Sequence, residues 1–314
     1  MVISEWNKKD WDIFVDSSPQ GTVFHKSYFL ESYGEPVKYL RYSKGEESLA
    51  GFAFIELSEG MKLMPYQAFS GIIMRDFSGL DEYERNEHTF NILETFAGYL
   101  FQRYSRVEFS NHWTIIDMRP FDWLNYYERE KGYYRINICY TSHLDISRPT
   151  ETTGYARLRR RDLKKGTENN RFITRESDDI ELLNSLHDMN FKKQEIERPK
   201  IGIRALKNIC QNLIQAKAGK LFVTYMNDEP AVASFFIYDR FRAYHLFVGT
   251  DLRWKDLGVG TKNLHDCCIY LNENLNIKEL DMVGINSPKR GAYKLSYGGK
   301  IVPYYQVIKV PPQE

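Results

Sequence analysis

One order of elements occurs twice in this chain, and that order limits the fold more than any other feature. In the second half, residues 221–225 read as a strand, and Asn227-Asp228-Glu229-Pro230 forms a turn. Strands at 231–238 and 242–248 follow, then a Gly-containing loop, a helix over about 261–274 and a strand at 279–283. In the first half the same order reads as strands at 37–42, 49–57 and 62–70, with a turn at 44–47. A helix over about 89–104 carries Phe90, Leu93, Phe96, Ala97 and Leu100 on one face, and a strand at 106–109 closes the set. Hairpins followed by a helix and one more strand predict a mixed, largely antiparallel sheet flanked by helices. The expectation is an α/β (α+β mixed) fold of two tandem domains, 1–150 and 151–314, with 301–310 open to either. A length of 314 residues suits two such units.

The two copies differ at the loop before the helix. In the second half it reads Arg253-Trp254-Lys255-Asp256-Leu257-Gly258-Val259-Gly260-Thr261. The matching stretch, 76–88, has no Gly-x-Gly and several acids. A Gly-x-Gly turn entering a helix aims unpaired N–H groups outward, and the helix dipole adds positive potential there. Phosphate oxygens suit that place, and acids in the first copy repel them. The second half alone is therefore expected to hold an anionic cofactor. A dinucleotide fold is excluded, because the third glycine is missing and the preceding strands form a hairpin.

These residues resemble a known family. Lys255-Asp256-Leu257-Gly258-Val259-Gly260 is similar to the Arg/Gln-x-x-Gly-x-Gly/Ala pyrophosphate loop of GNAT acyltransferases, with Lys255 in place of the usual Arg or Gln. The tail from Gly284 through Asn286-Ser287-Pro288, Tyr293-Lys294 and Tyr297-Gly298-Gly299 resembles the end of FemAB-like and BioF2-like tandem GNAT proteins. So do the opening at 17–25 and the basic stretch at 157–166. The resemblance implies acyl-CoA as co-substrate, bound by Phe247, Val248, Thr250, Lys255, Leu257, Gly258, Val259, Gly260 and Thr261. More narrowly, the chain resembles N-acyltransferases that modify the amine of a nucleotide-linked (dTDP) 3-amino-3,6-dideoxyhexose in surface polysaccharide biosynthesis. The acyl groups known there include acetyl and 3-hydroxybutanoyl.

That chemistry needs a neutral amine near a thioester, a donor for the oxyanion and a proton acceptor. No Ser–His–Asp or Cys–His pattern is apparent, so direct attack is expected. The backbone at 248–250 is the candidate oxyanion and pantetheine contact. His25 is the candidate general base, since its ordinary pKa suits proton removal at neutral pH. Asn286 is placed to orient the amine or to shape a turn. By resemblance Lys294 polarises the thioester, and Tyr293 and Tyr297 read as thiolate proton donors or as packing. Trp113, Phe121 and Trp123 are candidates to stack on a base, and Arg119 to pair with phosphate, in a site expected between the halves. On a helix Arg157, Arg161 and Lys164 share a face that holds phosphates or is simply solvated.

Composition excludes other classes. Net charge is +1, so no global field draws the chain to nucleic acid or an anionic membrane. The N-terminus carries Glu5, Lys8, Lys9, Asp10 and Asp12 where a signal peptide needs apolar residues, which points to the cytoplasm. Cys139, Cys210, Cys267 and Cys268 form no metal-ligand spacing, and no metal is expected. The expected partners are small molecules. The residues do not set the oligomeric state, and a monomer is compatible with them. A Fem-like transferase using aminoacyl-tRNA is the rival reading, carried by the basic stretch. A non-catalytic CoA-binding scaffold is the third.

Overall fold

The computed structural model describes residues 2–168, 171–192, 197–198 and 200–312. The chain forms two compact units, Met1–Cys139 with Pro303–Glu314, and Tyr140–Val302. Two long strands cross from one unit to the other. The last strand enters the first unit at Pro303.

The first unit runs β1 (Val2–Glu5), α1 (Lys8–Ser17), α2 (Ser27–Leu30), β2 (Val37–Lys44), β3 (Glu47–Ile55), β4 (Ile73–Met74), α3 (Glu82–Arg103), β5 (Glu108–Ser110), α4 (Arg119–Asp122) and the start of β6 (Tyr133–Asp145). Strands β1 to β4 pair in sequence order, all antiparallel. The β2–β3 hairpin turns at Gly45, whose φ of +61° favours glycine. The apolar stripe of α3 (Ile92, Leu93, Phe96, Ala97, Leu100) is buried with Leu40, Phe52 and Phe109. Burying such a stripe is the main reason an amphipathic helix is stable in a protein.

Two expectations fail here. Residues 62–70 form no strand, because Pro65 lacks an N–H and Tyr66 takes a φ of +70°. Two-residue β4 takes that place, with Ile73 opposite Gly51 and Met74 opposite Ala50. The helix begins seven residues earlier than expected, because the Asp81 side chain accepts the Glu84 N–H at 2.9 Å and caps an exposed polar turn.

The second unit runs from the remainder of β6 through α5 (Arg157–Thr167), β7 (Phe172–Ser177), α6 (Ile180–Lys192), α7 (Lys200–Gln215), β8 (Gly219–Met226), β9 (Glu229–Tyr238), β10 (Ala243–Thr250), α8 (Val259–Leu275), β11 (Glu279–Asp281), α9 (Pro288–Leu295) and the start of β12 (Lys300–Val310). Its strands pair in the order β6-β11-β10-β9-β8-β7. Every pair is antiparallel except β10–β11. Successive strand residues face opposite ways. Phe236 therefore packs with Leu264, Cys267 and Leu271 of α8, whereas Phe247 meets His187 of α6 on the other face. The mixed, antiparallel-dominated α/β frame is the one the sequence implies.

Candidate active site

The glycine loop lies where the sequence places it, at the N-terminus of α8. Gly258 has a φ of +78°, and no side chain caps the helix. The first turn of α8 holds no acid. A Cβ on Gly258 would meet the Asp162 carbonyl oxygen at 2.0 Å, so α5 lies flush against the loop. Gly260 is less crowded: its nearest neighbour beyond the local chain is the Tyr293 hydroxyl, 3.3 Å from a built Cβ. Thr261 is buried, and its Oγ1 accepts hydrogen bonds from Arg159 Nη1 and the Tyr297 hydroxyl, each at 3.2 Å. The Tyr293 and Tyr297 hydroxyls are 2.8 Å apart, and the Arg159 guanidinium lies 4.8 Å above the Tyr293 ring. Asp162 balances that cation at 3.1 Å. The helix dipole and a largely covered guanidinium thus converge on one spot, which suits an anion. Leu257 is exposed and Val259 is core; the Lys255 side chain lies outside the described residues.

Strand β10 parts from β11 early. They pair only at Ala243↔Leu280 and Tyr244↔Asp281, although β10 continues to Thr250. A bulge at Leu246 interrupts its pairing with β9. Among the described residues, no strand lies beside one edge of β10 beyond Tyr244 in the sheet. The Val248 carbonyl accepts from His187 Nδ1 at 2.9 Å and Asn190 Nδ2 at 3.1 Å. The Phe247 ring is buried on the α6 face, so only its backbone is left to meet a ligand along the strand. Val248 packs by Val259, and Thr250 lies on that same face by register.

At the point of parting lies a buried polar cluster. Lys294 Nζ donates to the Met282 carbonyl at 2.5 Å and the Val283 carbonyl at 2.8 Å. The chain there turns through Val283 and Gly284, with φ of +26° and +62°. Asp281 Oδ1 accepts from the Thr141 hydroxyl and from the Val283 N–H at 2.8 Å, and His143 Nε2 stands 3.2 Å from Oδ2. Burial lowers the Lys294 pKa to about 7, helped by Arg290 and opposed by Asp281. The two carbonyls account for two N–H groups. A neutral amine then keeps its lone pair free to take a proton, and an ammonium keeps a third N–H to donate.

Other sequence candidates have different surroundings. Asn286 is held at both ends of its amide by Tyr140, Oδ1 accepting the N–H at 2.7 Å and Nδ2 donating to the carbonyl at 3.0 Å. That spends its hydrogen bonds on β6. Tyr293 and Tyr297 stand at the glycine loop, and burial raises both hydroxyl pKa values, so neither is poised to release a proton to a thiolate. His25, in the first unit, is 1% exposed; its Nδ1 accepts the Thr22 N–H at 3.2 Å and closes a turn. Burial lowers its pKa to about 4, against the Gly71 backbone, which makes it a weak base. Phe121 is 0% exposed in the first unit's core and has no free face for a base. Trp113 packs edge-on against Phe69 at 4.8 Å. Arg119 forks onto Asp117 at 2.8 and 2.7 Å over the half-exposed Trp123. Arg157 and Arg161 point to solvent, and Arg159 is the cation of that run turned to α8.

Among the described residues no group of His, Cys, Asp and Glu suits a metal ion, and no helix is long and apolar enough to cross a membrane.

Residues 153–295 match the family model of the acetyltransferase (GNAT) domain. The structure is similar to that of FemX, with a TM-score of 0.69 at 11% identity over 97% of each chain. It is also similar to the C-terminal domain of a putative lysylphosphatidylglycerol synthetase from Agrobacterium fabrum, with a TM-score of 0.56 at 11% identity over 96% of this chain and 91% of that one. A tandem GNAT protein from the clavulanic acid biosynthesis pathway gives 0.52 at 8% identity, over 100% and 99%. At these identities the likeness is one of fold. No curated protein sequence matches the chain.

Proposed function

We propose that the chain is an acyl-CoA-dependent N-acyltransferase. It moves an acetyl or 3-hydroxybutanoyl group onto the amine of a dTDP-linked 3-amino-3,6-dideoxy sugar, in surface polysaccharide biosynthesis. One observation carries the acyl-CoA part: β10 parts from β11 beside the buried Lys294 amine, and its open edge leads to the uncapped N-terminus of α8. The family match at 153–295 supports the same reading. The acceptor rests on the resemblance of the tail and the opening segments described above.

In this reading the N-terminus of α8 and Arg159 take the pyrophosphate, and the pantetheine arm lies along β10. The acceptor amine attacks the thioester carbon directly. The C–N bond forms as the C–S bond breaks. Lys294, neutral above pH 7, takes the proton the nitrogen loses, the sulfur leaves as a thiolate, and the Lys294 ammonium returns that proton to it, directly or through water, to give the thiol. Lys294 thus replaces His25 as base, because its value near 7 matches the working pH. Tyr293 and Tyr297 hold Arg159 and Thr261 at the phosphate end. Holding both reactants side by side supplies much of the rate.

The test is thiol release from acetyl-CoA and 3-hydroxybutanoyl-CoA against a panel of dTDP-amino sugars. Release that depends on one sugar supports the proposal. Silence with every sugar, although CoA binds, removes the sugar acceptor. The exposed Arg157, Arg160, Arg161, Lys164 and Lys165 of α5 favour a second reading, a Fem-like aminoacyl-tRNA-dependent transferase. Transfer from aminoacyl-tRNA that falls steeply with salt, with no thiol release, would select it.

A further inference from the structure

His245 belongs to no role assigned so far. It is 3% exposed on β10, and among the described residues neither ring nitrogen has a hydrogen-bond partner. It directly follows Tyr244, the last residue of β10 paired to β11, and precedes the Leu246 bulge. Its ring stacks on Phe236 at 4.8 Å and 11°, on the face that α8 covers. Burial holds the imidazole neutral, and the nearby Lys294 acts in the same direction. A neutral imidazole presents one donor and one acceptor. Leaving both buried and unpaired carries a desolvation penalty that a packing residue such as Phe would avoid. The arrangement therefore suits a bound group that both donates and accepts. Burial of the ring against Phe236 disfavours a cationic group there. A hydroxyl meets both requirements.

We infer that His245 reads a hydroxyl on the transferred acyl chain, so that hydroxyacyl thioesters are preferred over their deoxy counterparts. The inference rests on the acyl-CoA reading above and decides between the two acyl groups named there. It makes His245 a specificity-determining residue at the point where the thioester lies against β10.

The test is the calorimetric affinity of the full chain for 3-hydroxybutanoyl-CoA, butanoyl-CoA and 3-aminobutanoyl-CoA. The wild type should bind the hydroxyacyl thioester about tenfold more tightly than butanoyl-CoA, the net value of one well-made hydrogen bond. The aminoacyl thioester should bind more weakly than either. His245→Phe keeps the stack on Phe236 and should erase the preference without weakening butanoyl-CoA. His245→Gln keeps a donor and an acceptor and should retain part of it. Equal wild-type affinities for hydroxybutanoyl- and butanoyl-CoA would overturn the inference and leave the acyl-CoA reading standing. Tight 3-aminobutanoyl-CoA binding would overturn it in favour of an aminoacyl donor. Failure to bind any thioester would remove both proposals. If His245→Phe does not fold, the wild-type ratios still decide.

Discussion

Helices α3 and α8 occupy matching places in the order of the two halves, and their first turns are opposite in charge. The N-terminus of α3 is capped by Asp81 and followed by Glu82 and Glu84. The N-terminus of α8 starts at Gly258, with no side-chain cap and no acid. A helix N-terminus carries roughly half a positive charge. In α3 that charge is met by the protein's own carboxylates, which steadies the helix and repels an anion. In α8 it stays open, with Arg159 beside it. The glycines of the two loops differ likewise. Gly79 has nothing within 4 Å of a built Cβ, whereas Gly258 is pressed against Asp162. The helices that follow the last strands repeat the contrast. Arg119 on α4 is an exposed cation tied to Asp117, and Lys294 on α9 is a buried amine on two carbonyls. The same order of elements thus serves packing in one half and, in the function proposed here, an anion and proton site in the other.

Lys294→Met gives the largest expected effect. Turnover should fall by about 10²-fold or more, the usual contribution of a positioned base, with CoA affinity little changed. Arg119→Met should leave turnover within about threefold, because its charge is already spent on Asp117 in solvent. In the wild type kcat/KM should rise with pH through about 7 and level off, and Lys294→Met should lose that rise. Stability carries the same signature. The folded pKa lies below the ordinary 10.5, so between about pH 7 and 10.5 the unfolded chain binds more protons than the folded one. Unfolding free energy therefore rises with pH across that window, and urea melts of Lys294→Met should lack this component. A comparable loss of turnover in Arg119→Met would remove the assigned difference between the two cations.

Gly258→Ala comes next. A left-handed φ and a 2.0 Å approach to backbone should cost about 2 kcal/mol or more, seen as a lower melting temperature. Gly79→Ala should change almost nothing. Substitution at Gly258 therefore tests packing as much as binding, and Gly260 is the cleaner position for a charge. Gly260→Asp should weaken CoA binding about tenfold or more by calorimetry, with melting nearly unchanged. Unaltered CoA affinity would remove the phosphate assignment from α8.

The antiparallel frame and the boundaries of α8 were readable because period and turn chemistry are local. Asn227 and Asp228, for example, take the left-handed φ values of +50° and +62° that such a turn uses. Residues 62–70 misled because their apolar spacing outweighed Pro65. In the basic run, Arg157, Arg161 and Lys164 share a face that turned out to meet solvent. The inward face is Arg159, Asp162 and Gly166, and Gly166 was its signal: a Cβ there would meet Lys262 Cβ at 2.8 Å. The state of Lys294 was not readable at all. A lysine becomes a near-neutral base only through what covers it, and that cover comes from Met282, Val283 and Asp281, held by β6 and β11. His25 fails for the same reason in reverse, since its burial takes its basicity away.

The smallest expected effect concerns the cap of α3. Asp81→Ala removes the bond to the Glu84 N–H and should cost about 1 kcal/mol of stability. It also takes one negative charge from the first turn. Glu82 and Glu84 remain there, and no Gly-x-Gly precedes the helix, so the N-terminus should still reject phosphate. Melting should drop by a few degrees at most, while CoA stoichiometry by calorimetry stays at one per chain. A second equivalent of CoA in Asp81→Ala would mean that acid content alone separates the two helices. One equivalent would mean that the glycines, Arg159 and the parted strand are also required.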